Sequence, residues 1–331
     1  MASGLDATLY ASRTERTDME HVKRSLLAFT VISQMSVGMF ASAAIAAVIG
    51  GEVLSSVSNA TIFATLITAA IFLFLLSLLF SIAHIDRPRL FLTMARNWRN
   101  SWLSREGVFA VIFLILLLGY VLFQSQLQTV HLYFQVYLAL AMISGVGFVG
   151  AQAMIYKLES RPSWNSPYTL TSFFATTVAT GPLAVATFLA VELLGGAYGH
   201  VVWDPLTWLT HAASVLLILT PVQLLLEITY LADLKASEQE ARASYEIHIG
   251  RLRNFLVSRL GLRAASLGLS GVVFVLDLRS LHIQVTAMMI LALFATVLLA
   301  EFVGRYAFYY GVVPLNPGVR YVQVLGSIRG S

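Results

Sequence analysis

The chain has 331 residues, 58% of them hydrophobic and 11% charged, with a net charge of +4 and no cysteine. Ordinary soluble domains carry about 25% charged residues, so this composition excludes a soluble globular protein and points to a bilayer. Without cysteine, the chain forms no disulfide and cannot hold an iron–sulfur cluster through its own thiolates.

Residues 1–24 are polar and mixed in charge and read as a cytoplasmic N-terminus. The first apolar run, about 25–49, is too long for a signal-peptide core and lacks a small-residue cleavage site, so it reads as a retained spanning helix. Seven more runs follow at about 60–83, 107–123, 132–156, 170–194, 208–230, 264–278 and 283–302. Each is near the roughly 17 to 25 residues that a spanning helix needs. The seventh is the shortest, yet without it the segment before it and the C-terminus would lie on opposite sides. No linker or fixed-period repeat divides the chain. Residues 1–331 therefore read as a single all-α membrane domain, a polytopic integral membrane helix bundle of about eight transmembrane helices with a tail at 303–331.

The basic residues alternate in side. Arg13, Arg16, Lys23 and Arg24 precede the first run, and Arg87, Arg89, Arg96, Arg99 and Arg105 follow the second. Lys157 and Arg161 follow the fourth; Lys235, Arg242, Arg251, Arg253, Arg259 and Arg263 follow the sixth; Arg305, Arg320 and Arg329 close the chain. Of all the lysines and arginines only Arg279 falls on the other side. Cytoplasmic loops carry the excess of Lys and Arg, so both termini are expected in the cytoplasm. The stretch 232–260 reads as an amphipathic surface loop, with Tyr245, Ile249, Leu252 and Phe255 at spacings of three and four. It suits either a lipid surface or a ledge for a soluble partner.

Chemistry concentrates on the basic face. His84 ends the second run and Glu106 opens the third, with five arginines between them. A near-neutral imidazole beside a carboxylate of tunable pKa can accept and pass on the two protons that quinol oxidation releases. Interfacial tolerance of histidine and the helix dipole are the plain explanations of the same two residues, and the positive-inside bias explains most of the arginines. Asn100, Ser101 and Ser104 suit helix caps, and Trp102 an interfacial anchor. After the fourth run, Arg161-Pro162-Ser163-Trp164-Asn165-Ser166-Pro167 describes a rigid loop. At the end of the eighth, Glu301 and Arg305 stand four apart on one helix face and can pair, which answers the cost of a carboxylate near hydrocarbon. Glu192, Glu227, Tyr230 and Asp233 are further polar groups to which the sequence gives no role.

Two patterns carry no cofactor. Gly145-Val146-Gly147-Phe148-Val149-Gly150 has the spacing of a dinucleotide fingerprint, but it lies inside an apolar run without a preceding strand, where close helix packing is its meaning. The histidines sit at run ends or outside the runs, so they offer no facing pair for a haem.

Three stretches together resemble the membrane-anchor subunit of dimethyl sulfoxide reductase, within a wider group that includes the polysulfide reductase anchor. His84, Pro88, Ser101, Leu103, Ser104 and Glu106 match the family pattern after helix two. Pro162, Trp164 and Pro167, then Phe173, Phe174, Gly181 and Pro182, echo its later motif. Ala300-Glu301, Gly304-Arg305 and Phe308-Tyr309 match the terminal one, and Gln34 and Gly38 also fit. Asp86 stands where the family has glycine, and Arg89 follows the proline one place early. The resemblance implies an anchor that oxidises menaquinol and serves two partners, a four-cluster ferredoxin-like iron–sulfur subunit and a molybdopterin catalytic subunit, in anaerobic respiration. Haem, iron–sulfur cluster and molybdopterin are not expected on this chain, nor is a nucleic-acid partner or a metal site.

By position, His84 and Glu106 would be the proton acceptors at the quinol site, with Arg87, Trp164, Asn165, Glu301 and Arg305 as its supporting shell. The rival reading is a proton-coupled secondary transporter, disfavoured because the polar residues gather at one face and the midplane is nearly uncharged. The terminal acceptor is set on a partner polypeptide. A reporter fused after Ser331 should be active in the cytoplasm; activity only outside it would overturn this topology.

Overall fold

A chain that leaves water must satisfy each backbone N–H and C=O within its own segment, and the long apolar runs accordingly fold as helices. The computed structural model describes residues 2–49, 57–82, 97–127, 131–194, 204–237, 239–276 and 282–314. Within them lie nine helices and no strand: α1 (Ala2–Ile49), α2 (Val57–Ile82), α3 (Trp102–Leu127), α4 (His131–Tyr156), α5 (Pro167–Leu194), α6 (Pro205–Ala236), α7 (Gln239–Ile249), α8 (Arg253–Val275) and α9 (Ile283–Tyr310). All but α7 contain a stretch long and apolar enough to cross a membrane. The protein is a multi-pass membrane helix bundle, the class its composition predicts.

The seventh span departs from the expected bounds. It runs over Arg253–Val275 instead of beginning near residue 264. The segment 232–260 is divided accordingly: residues to Ala236 complete α6, Gln239–Ile249 form the short α7, and Arg253 onward belongs to α8. Helical periodicity was legible there, but its sidedness is reversed. On α8 the inward face carries Arg259, Arg263, Ser266 and Ser270, while Val257, Leu260, Val272 and Phe274 are exposed. In a bilayer that arrangement sets apolar side chains toward lipid and polar ones toward protein partners.

Helices α1 and α5 form the centre. The apolar windows of their spans are 61% and 67% buried, against 28% for those of α3, α6 and α8, and α1 packs against α2, α4, α5 and α9. Their closest approach is backbone to backbone: a Cβ on Gly38 would collide with the Thr177 carbonyl, and one on Gly181 with Gly38. Small residues at a crossing let helices approach to where dispersion and weak polar contacts act. Gly145 and Gly147 likewise seat Phe113 and Phe109 of α3, which is the packing role expected for that glycine run. Edge-to-face pairs among Phe40, Phe74, Phe113 and Phe148 fill the space between α1, α2, α3 and α4.

At the start of α3, the Ser104 N–H donates to Ser101 Oγ (3.3 Å), so Ser101 acts as the cap its sequence suggested. Arg105 donates to the Trp98 and Arg99 carbonyls (2.9 and 2.6 Å) and lies over the Trp102 ring. Helix α7 docks near the ends of α6 and α9. His248 is buried, its Nδ1 lies 2.7 Å from the Ser244 carbonyl, and its ring rests on Gly311. The Val313 N–H donates to Ser244 Oγ (3.0 Å).

Burial lowers the His248 pKa below its ordinary 6.5, because a charged ring there would lose its hydration. The undocked imidazole therefore binds protons more readily than the docked one. Docking stability is complete above about 6.5 and declines as pH falls below it. Hydrogen exchange over residues 239–249, corrected for intrinsic rate, should accelerate between about pH 7.5 and about pH 5.5. In His248→Leu that acceleration should vanish; equal pH dependence in both proteins would refute the assignment.

Candidate functional site

Near the basic-face end of the bundle, side chains from seven helices form a continuous polar network. It starts at Glu106, four residues into α3 and about 6 Å along its axis. The carboxyl is 7% exposed and takes a hydrogen bond from the Gln152 side chain of α4. Tyr156 and Tyr309 lie close enough to feel its charge, and their hydroxyls are joined at 2.9 Å. None of the ion pairs between described residues includes Glu106.

From Gln152 the network crosses the bundle. Gln34 Nε2 donates to Gln152 Oε1 (2.7 Å), and Gln152 Nε2 reaches Ser33 Oγ (3.2 Å). Arg305 donates to Gln34 Oε1 (3.0 Å) and to Thr176 Oγ1 (3.3 Å), with its guanidinium 3.7 Å from the centre of the Phe173 ring. Thr176 in turn donates to Glu301 Oε2 (2.6 Å).

Glu301 opens the second half. It pairs with Arg263 (3.9 Å) and accepts from Gln223 Nε2 (3.1 Å). Arg263 also holds Glu227 in a short contact, and Glu227 pairs with Arg259 at 2.8 Å. Arg259 donates to the Tyr168 hydroxyl (3.0 Å), and Tyr168 stacks on Tyr230. The Arg259 guanidinium lies directly on Gly304, where any larger residue would displace it.

Several sequence expectations are revised by this geometry. Glu301 does not pair directly with Arg305; the two meet through Thr176, and the ion-pair partner of Glu301 is Arg263 of α8. Arg259 and Arg263, counted from the sequence in a cytoplasmic loop, are 6% and 3% exposed inside the bundle. The interior on the basic-face side is thus charged, contrary to the nearly uncharged expectation. Glu301 lies nine residues before the end of α9, about 14 Å along its axis.

Trp164 is buried, donates from Nε1 to the Phe308 carbonyl (2.9 Å) and stacks on the Phe308 ring. It braces the α9 end that carries Arg305 and Tyr309. Asn165 is exposed in the same turn and is not drawn into the network. His84 and Arg87 lie outside the described residues.

Sequence reasoning missed Gln152, Thr176 and Gln223 and found no role for Glu227. One signal was available for α8: Arg259, Arg263, Ser266 and Ser270 follow spacings of four, three and four within an apolar stretch, the mark of one polar face. Contacts between residues more than a hundred positions apart left no such signal.

Cavities of about 20 and 10 Å³ lie among the charged side chains. They are water-sized and exclude an organic ligand. A larger apolar groove of about 600 Å³ is lined by Gly38, Ile45, Ile49, Thr177, Trp208 and His211. It runs from mid-bundle toward the face away from Glu106, and exposed Ile45 and Ile49 open it to lipid. No group of three or more metal-ligating side chains occurs among the described residues.

A family model described as the DMSO reductase anchor subunit matches residues 19–312, and the chain belongs to that family. The three sequence motifs had pointed to it. No curated protein matches the chain.

Glu227 is the shared counter-charge of two buried arginines, so Glu227→Leu leaves Arg259 without its ion pair and Arg263 with Glu301 alone. Removing one member of a buried ion pair costs about 3–5 kcal/mol. The purified variant should melt well below the parent, and Glu227→Leu with Arg259→Leu should recover part of the loss. An unchanged Tm for Glu227→Leu would contradict the pairing.

Proposed function

We propose that this DMSO reductase family anchor is the quinol-oxidising subunit of a molybdopterin oxidoreductase complex and passes electrons to an iron–sulfur partner. The observation that carries the reading is Glu106: a carboxyl buried at a helix start, held by a single amide and facing two tyrosines, with no ion pair to any described residue. Structural carboxylates in this bundle, Glu227 and Glu301, are each held by arginine. A carboxylate left without one is free to change protonation state, as a general base must.

Oxidation of one quinol to quinone breaks two O–H bonds and releases two protons and two electrons. One proton passes to the Glu106 carboxylate, the other to the His84 imidazole, which the sequence sets at the same membrane boundary. The electrons leave for the clusters of the partner, since this chain has no cysteine to bind one. Trp164 and Arg305 support the site by holding the end of α9 and the network behind Glu106. Menaquinol is the substrate that the family resemblance implies, with the chain in a prokaryotic plasma membrane and its basic face toward the cytoplasm.

Proton-coupled transport is the weaker reading. The 20 and 10 Å³ cavities among the buried charges admit no solute beyond water, and Glu227 and Glu301 are each tied to arginine.

In membranes containing the assembled complex, Glu106→Gln should slow quinol-dependent reduction of the partner's clusters by about 10²–10⁴-fold, the range of a lost general base. His84→Leu should do likewise. Cluster reduction by a soluble dye should be unaffected in both. Normal quinol-dependent rates in Glu106→Gln would refute its role as proton acceptor.

A further inference from the structure

Among the described residues, charge counting inside the bundle leaves one cation over. Arg259 and Arg263 are matched by Glu227 and Glu301, two against two, through ion pairs of 2.8 to 3.9 Å and the short Arg263–Glu227 contact. Arg305 is as buried as they are, at 4% exposure, but makes no ion pair. Its hydrogen bonds go to Thr176 and Gln34. Glu106 is the buried carboxyl without a cation among the described residues. A charge removed from water needs a counter-charge or a set of oriented dipoles, and here the two unmatched groups stand at opposite ends of one hydrogen-bonded path.

That path has a direction. Arg305 donates to Gln34 Oε1 (3.0 Å), so the other end of the amide, Nε2, faces away and donates to Gln152 Oε1 (2.7 Å). The Gln152 amide is thereby turned to present its own Nε2 to Glu106 and Ser33. Each link points its N–H toward the carboxylate and its oxygen toward the guanidinium. Chains of aligned hydrogen bonds polarise one another, and the effect grows where the local dielectric is low. The alignment rests on Arg305 having no oxygen to offer: a guanidinium only donates, which fixes the orientation of Gln34 and through it that of Gln152.

We propose that Gln34 and Gln152 are positioning residues that carry the influence of Arg305 to Glu106, so that its ionised form is stabilised against the cost of burial and can take a proton from quinol. Thr176 anchors Arg305 at the other end by linking it to Glu301, and the Phe173 face fixes its plane. Among the described residues, the groups facing Glu106 from the packed elements are Gln152 and Tyr156 of α4 and Tyr309 of α9. Gln34 is not among the groups that touch it. A change at Gln34 can therefore reach Glu106 only through Gln152 or by distortion of the fold. The use made of the ionised carboxylate rests on the proposed quinol oxidation; the coupling itself does not.

The test reads the carboxyl directly. In the assembled complex in membranes, infrared difference spectra over a pH titration report the protonated-carboxyl band, identified as that of Glu106 by its loss in Glu106→Gln. Gln34→Met keeps the length of the side chain and removes its dipole; Gln34→Asn keeps an amide too short to reach both neighbours and serves should the first fail to assemble. Either should shift the Glu106 titration to higher pH by about one unit or more, a tenfold change in the protonation equilibrium. Arg305→Gln should shift it similarly, and the double variant no further than the larger single shift. The rising limb of the pH–rate profile for quinol-dependent cluster reduction should move with the band.

A titration unchanged in the Gln34 variants, or additive shifts in the double, overturns the coupling even if Glu106→Gln still abolishes turnover. The converse result, a shifted band with normal turnover in Glu106→Gln, leaves the coupling standing and defeats the quinol reading.

Discussion

The constraint that orders this bundle is the cost of holding charge away from water. Glu227, Glu301, Arg259 and Arg263 sit on three different helices, and each satisfies the others only if α6, α8 and α9 keep one register and one rotation. Slip any of these helices by a turn, about 5.4 Å, and an ion pair of 2.8 Å becomes an isolated charge in a low-dielectric interior. Replacing such a cluster by hydrocarbon is often neutral for stability, so its value here lies in specificity: apolar faces alone would let three lipid-facing helices rotate. The arginines of α8 also explain how so polar a helix lies in a membrane, since its charges are spent inward and its exposed face is valine, leucine and phenylalanine.

Around that cluster the packing follows from where small residues fall. Gly38 and Gly181 bring the backbones of α1 and α5 together, and that contact aligns Gln34 and Thr176, each one turn or so toward the basic face, on either side of Arg305. The polar network therefore depends on the glycine crossing. Were α1 held off by a side chain at Gly38, Gln34 would retreat from both Arg305 and Gln152. The same crossing leaves room on its far side for the lipid-open groove, so one contact separates a polar region from an apolar one.

Much of the architecture was legible because a spanning helix announces itself by length and hydropathy, and all but the seventh of the eight spans were read from sequence with starts close to those observed. Glu106 was legible too, as an acid opening an apolar run within a recognisable motif. What escaped followed from geometry that one-dimensional patterns do not hold. Arg259 and Arg263 were counted as loop residues because hydropathy sees charge but not which face of a helix carries it. Glu301 was given to Arg305, its neighbour four places on, because local spacing is the only pairing a sequence displays; the actual partner is on another helix. Gln34 and Gln152 stand 118 positions apart, and each alone is an ordinary polar residue in a span.

The burial of Arg259 and Arg263 alters the charge count on which orientation rests without reversing it. The positive-inside bias concerns residues exposed near the ends of spans, and these two, together with buried Arg305, leave that tally. Among the described residues Lys23, Arg24, Arg99, Arg105, Lys157, Arg161, Lys235, Arg242, Arg251 and Arg253 remain, all on the side where α3 begins and where α4, α6 and α9 end. Glu106 opens α3 on that side, only about 6 Å from the helix start, whereas Glu301 lies more than twice as deep. On the proposed function, a proton acceptor at this depth stands at the end of the network nearest the water that must finally receive the protons, with the ion pairs behind it.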